Sequence, residues 1–153
     1  MKLPVYLGLL DEAEDTLAKS FRVVAHGHGE EPDVHFLLET LARQCDSHRQ
    51  ALRPVIERYG EETEGEEEHR LTANGIQEVR SGPLALLLDL QDLYVLVSHL
   101  DVTWMMVGQA AKGSRDGQLL DVVTRCEGDA DLQLRWLRTR MKQAAPQALL
   151  VAE

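Results

Sequence analysis

The sequence predicts an all-α fold, a single four-helix-bundle domain spanning residues 1–153. Apolar residues return at three- and four-residue steps along four long segments, the period of a helix face turned toward a core. Alternating runs of β-branched and aromatic residues, the mark of half-buried strands, are scarce. Two short connections and one long, acidic one separate the four segments.

The first helix is expected over residues 4–25. Its stripe is Leu3, Leu7, Leu10, Glu14, Leu17, Phe21 and Val24, and it stops at His26-Gly27-His28-Gly29. The second is expected over 33–59, opening after Pro32 and ending at Gly60, with Val34, Leu38, Leu41, Cys45, His48, Leu52, Val55 and Tyr59 on one face. Pro54 lies inside this pattern and lacks a backbone donor, so a kink or break is expected there. The third, over 83–112, is apolar around most of its circumference; one of its stripes runs Leu87, Leu90, Tyr94, Val97, Asp101, Trp104, Gly108 and Ala111. The fourth covers 117–144, with Leu120, Val123, Glu127, Ala130, Leu134, Leu137 and Met141 aligned and Pro146 beyond its end. A seven-residue rhythm runs through these stripes, as helix packing in bundles requires.

Connection lengths add topology. The turns between helices one and two and between three and four are short, which predicts two antiparallel hairpins. Residues 60–82 form a long crossover rich in Glu and Gly. At up to about 3.3 Å per extended residue this stretch can run the length of a helix rising 1.5 Å per residue, so helices two and three can be parallel.

Composition narrows the function. The 44% hydrophobic and 27% charged fractions are those of an ordinary folded domain. Sixteen basic residues against 26 acidic ones give a net charge of −10, with no isolated Lys/Arg cluster, which argues against a nucleic-acid partner. The run from Glu61 to Glu68 reads as a solvated loop. No apolar run approaches the roughly 20 residues of a membrane span, and Asp11-Glu12 follows the apolar start without a cleavage pattern. Two cysteines, Cys45 and Cys126, are too few for a disulfide framework, so a cytoplasmic location is expected. A homo-oligomer is compatible with the apolar segment from Ala148 to Val151.

Polar residues interrupt the apolar stripes at Glu14, at Cys45 and His48, at Asp101 and at Glu127. A buried carboxylate needs an ion pair, a hydrogen-bond network, a shifted pKa or a metal. Glu14 lies 16 residues before Glu30 at the first turn, and Cys45 and His48 lie 15 and 18 after it. Asp101 lies 14 before Arg115 at the third connection, and Glu127 lies 12 after it. One mid-bundle layer can therefore collect all of them.

This pattern resembles the ferritin-like di-iron carboxylate proteins, which carry a Glu on helices one and three and an E-x-x-H pair on helices two and four. The matching positions here are Glu14, Cys45-Asp46-Ser47-His48, Asp101, and Glu127-Gly128-Asp129-Ala130. Cys45 stands where the family has a bridging Glu, Asp101 is one carbon shorter, Ala130 replaces a His, and Gly128 weakens the fourth helix. The resemblance implies a transition metal, iron, manganese or zinc, held by Glu14, His48 and Glu127, with Cys45, Asp101 and His99 as further candidate ligands. If the chain is catalytic, the resemblance implies oxygen-dependent oxidation or oxidation of the metal itself. The alternative is a metal-free structural or protein-interaction bundle, in which the same polar residues close a hydrogen-bond network.

Overall fold

The structure, a computed structural model, describes residues 1–61 and 74–152. Among these residues it is all-helical: α1 (Leu3–Gly27), α2 (Pro32–Tyr59), α3 (Ala85–Gly113) and α4 (Gly117–Pro146), followed by a π-helical turn, Gln147–Val151. No described helix is long and apolar enough to cross a membrane. Residues 62–73 of the expected crossover, with most of the acidic run from Glu61 to Glu68, lie outside the described residues.

Each helix buries the face that its apolar spacing selects. α1 turns in Leu7, Leu10, Leu17, Phe21 and Val24, and α2 turns in Val34, Leu38, Leu41, Leu52 and Val55. α3 contributes Leu90, Leu93, Val97, Leu100, Trp104 and Val107, and α4 contributes Leu119, Val123, Cys126, Ala130 and Leu137, so one core runs between the four helices. α1 packs on α2 and α3, and α4 packs on α3 and α2.

The structure differs from expectation at Pro54, where α2 continues unbroken to Tyr59. Pro54 and Gln50, whose carbonyl loses its donor there, are both exposed, so water can take that bond, while buried Leu52, Val55 and Ile56 hold the turn in place.

Both ends of the bundle are tied by polar contacts. Asp116 caps α4 by accepting the Leu119 N–H at 3.1 Å, and it also receives Arg58 at 2.7 Å and the Tyr59 hydroxyl from the end of α2. At the other end, residues 74–84 lie as a strap over α1. The Ile76 N–H donates to Ser20 Oγ at 3.0 Å, and Val79 sits on Gly27 so closely that a Cβ there would come within 2.3 Å of its side chain. Gly75, at φ +58°, faces Thr16 and Ser20, where a side chain would also collide.

Candidate functional site: a buried polar layer

Halfway along the bundle the core is interrupted by charge. Glu14 on α1 and His48 on α2 are 2% and 1% exposed. Both belong to stripes that are otherwise apolar, so packing of their neighbours carries them inside. His48 Nδ1 lies 3.0 Å from Glu14 Oε1, and its Nε2 lies 2.7 Å from Asp129 Oδ2 on α4. Trp104, fully buried on α3, donates its indole N–H to the same Glu14 Oε1 at 3.0 Å and meets the imidazole edge-to-face. Four helices thus converge on one imidazole and one carboxylate.

The electrostatics follow from that arrangement. Burial pulls the His48 pKa down, but the hydrogen bond and charge of Glu14, joined by those of Asp129, outweigh it and leave the imidazole raised. Ionised carboxylates only accept hydrogen bonds, so the imidazolium, donating from both nitrogens, is the form that satisfies both contacts. The second Glu14 oxygen, Oε2, is buried with no hydrogen-bond partner among the described residues. Cys45 and Cys126 are fully buried in the same layer. Burial and then the charge of Glu14 push both thiols up, Cys45 strongly, so they remain protonated. Gln133, also buried, donates to Gln44 at 3.1 Å and extends the polar layer by one turn.

Of the residues singled out from the sequence, Glu14, Cys45 and His48 come together. Glu127, Asp101 and His99 lie elsewhere. Glu127 is half-buried against α3 at Gly108, its Oε1 3.5 Å from where a Cβ on that glycine would stand. Asp101 is half-buried, its carboxyl raised by desolvation and then by the charge of Asp131. His99 is half-buried, its imidazole lowered by desolvation.

On α3 and α4 other side chains fill the layer, Trp104 in place of Asp101 and the pair Cys126 and Asp129 in place of Glu127. Sequence reasoning missed Asp129 as a partner of His48. The signal that finds it is spacing: Cys126-x-x-Asp129 on α4 repeats the i, i+3 step of Cys45-x-x-His48 on α2.

A second buried carboxylate was not legible. Asp89, 1% exposed, accepts the Arg80 N–H at 3.2 Å, the Arg80 guanidinium at 2.8 Å and His28 Nε2 at 2.7 Å, which ties the strap to α3 and to the first turn. The turn histidines do not gather round a common point. His26 meets Glu39, His28 meets Asp89, and His35 Nδ1 meets the Ala25 carbonyl.

No group of three His, Cys, Asp or Glu side chains among the described residues is arranged to hold a metal ion. Comparison with protein-family models, curated proteins and solved structures found no match.

Proposed function

We propose that the chain is a ferritin-like bundle of two antiparallel hairpins, α1/α2 and α3/α4, joined by one long crossover, in which a closed ionic network occupies the layer where that family holds metal. On this reading the protein is a structural or protein-interaction module. Contact order supports the topology. Asp11 pairs with Arg49, Arg22 with Asp46 and His26 with Glu39, so positions rise along α1 as they fall along α2. Tyr59 with Asp116, His48 with Asp129 and Asp33 with Arg140 relate α2 to α4 in the same opposed sense.

The observation that carries the functional reading is the division of His48 between two carboxylates. Glu14 and Asp129 sit on opposite nitrogens of one ring, so they do not converge on a single ion together with it. The family's di-iron ligand set does not fit this layer, because Glu127 and Asp101 lie outside it and Ala130 offers no donor.

One specific observation favours a second reading, a single transition-metal ion. The unpartnered Glu14 Oε2 lies beside Cys45 and His48, and Asp129 would then orient the ring through its other nitrogen, as carboxylates do behind metal-bound histidines. Metal content of protein purified without chelator, and again after anaerobic loading with ferrous iron or zinc, separates the two. The network reading expects clearly sub-stoichiometric metal in every case. One equivalent of metal, lost in both His48→Ala and Glu14→Gln, overturns it.

A further inference from the structure

We infer that the exposed face of α3 is a self-association surface, occupied by the same face of a second copy of the chain. The inference is independent of the buried layer, because the face lies on the opposite side of α3 from Trp104.

α3 packs against α1 and α4, and its outward side is covered by neither. Val95, His99, Val102 and Met106 follow one another at steps of four, three and four residues, which places them on one stripe. Val95 is 62% exposed, Val102 49% and Met106 44%, and Met105 widens the stripe. Where α3 meets the start of α1 there is a notch of about 200 Å³ lined by Leu3, Tyr6, Met106, Val107, Ala110 and Lys2.

Charge selects the occupant. From Leu93 to Ala111 the only formally charged residue is Asp101. That carboxyl is half-buried and lies near Asp131 of α4. His99 is held toward its neutral form by desolvation. The outer surfaces of α1, α2 and α4 carry ion pairs, such as Lys19 with Asp15, Arg49 with Asp11 and Arg135 with Asp131. A chain of net charge −10 repels its own copies and anionic lipid surfaces. A basic partner would be drawn to the acidic surfaces, not to this uncharged stripe. Two copies meeting across the α3 stripe bring together the least charged part of each molecule.

The geometry is self-complementary. In a two-fold contact centred on Val102, α3 crosses its copy in the opposite direction, so Val95 stands opposite Gln109. Val95 is then the knob and the notch beside Met106 and Ala110 the hole, with methionine side chains free to adjust. Val95 to Ala110 covers roughly 22 Å of a helix about 10 Å wide. With the α1 flank this falls below the roughly 800 Å² per partner of a standard interface, so association in the micromolar range is expected.

Sedimentation equilibrium of the whole chain across a concentration series tests this, with circular dichroism to verify that the variants fold. Wild type is expected to be a concentration-dependent dimer, and Val102→Glu, at an exposed position, to weaken association by about tenfold or more. Val102→Cys should cross-link to itself on mild oxidation, since the native cysteines are buried, whereas Leu132→Cys on α4 should not. A monomer at every concentration, association unchanged in Val102→Glu, or equal cross-linking from both cysteine positions overturns the inference. So does a wild-type monomer that binds neutral lipid vesicles through the same face.

Discussion

Replacing His48 with Ala should cost more stability than any other single change in the polar layer. The substitution removes both N–H donors that face Glu14 and Asp129, leaving Glu14 buried with only the Trp104 indole to neutralise its charge. Removing one partner of a buried ion pair typically costs about 3–5 kcal/mol, a large part of the roughly 5–15 kcal/mol that holds a domain folded. Asp129→Asn should cost far less, because that side chain is 26% exposed and water replaces part of what is lost. The pH dependence has a definite sign. Folded His48 holds its proton more tightly than the unfolded chain does, so its contribution is complete below about pH 6.5 and declines as pH rises through the higher folded value. Urea unfolding of wild type and His48→Gln between pH 6 and pH 8 isolates the effect. The difference in stability between the two should shrink as pH rises. A His48→Ala loss below about 1 kcal/mol, or a pH-independent difference, would refute the ion-paired arrangement.

The strap supplies a second test. Gly27→Ala should destabilise by about 1–3 kcal/mol, since its Cβ would meet Val79 at 2.3 Å, and Val79→Ala in the same chain should restore most of the loss, measured by thermal denaturation. Asp89→Ala should cost about 1–3 kcal/mol in urea unfolding, because the Arg80 N–H and His28 lose their common acceptor; a loss within 0.5 kcal/mol, the size of an ordinary surface change, would contradict that role. Cys45 and Cys126 should resist alkylation at pH 8 in the folded protein and react promptly in denaturant, because burial and the nearby Glu14 charge hold both as thiols. Rapid labelling of the native protein would show that the layer opens to solvent.

The sequence was most legible where one face of a helix is much more apolar than the rest. On α1 and α2 the predicted stripes coincide with the buried faces, down to the polar members Glu14, Cys45 and His48. On α3 and α4 the reading drifted by part of a turn. Buried α3 residues include Leu93, Leu100 and Val107, whereas Tyr94 and Asp101 of the predicted stripe are only half-buried. α4 buries Leu119, Cys126 and Gln133, whereas Leu120, Glu127 and Leu134 stand one residue away. In both helices two stripes share every seventh residue and differ at the intervening position, so the heptad rhythm cannot choose between them. α3 is apolar on several sides, which flattens the preference further. On α4 the correct stripe contains Gln133 and the misread one contains Leu134, so hydrophobicity alone points the wrong way. Gln133 is tolerated inside because Gln44 on α2 satisfies its amide. That compensation is a tertiary fact, as is the strap that buries Asp89 under Arg80 and His28.

The same one-residue shift bears on the chemistry of the layer. On the ferritin-like reading the fourth helix should offer a carboxylate and, three residues later, an imidazole. With Glu127 turned toward Gly108, the inward pair is instead Cys126 and Asp129, a thiol and a carboxylate at that same spacing. A metal centre requires lone pairs that converge on a point, whereas a hydrogen-bond network requires donors set between acceptors. With Ala130 carrying no ring, His48 is the only imidazole in the layer, and Asp129 occupies the nitrogen that Glu14 leaves free. The imidazolium then has an acceptor at each end, Trp104 supplies a third donor, and the two thiols stay neutral. One cation between two carboxylates still leaves a net negative charge, and the unpartnered Glu14 Oε2 is where that excess is least compensated. Any ligand of this layer should therefore be cationic and approach through Glu14, which makes Glu14→Gln, more than any change on α4, the substitution that separates a closed network from a metal site.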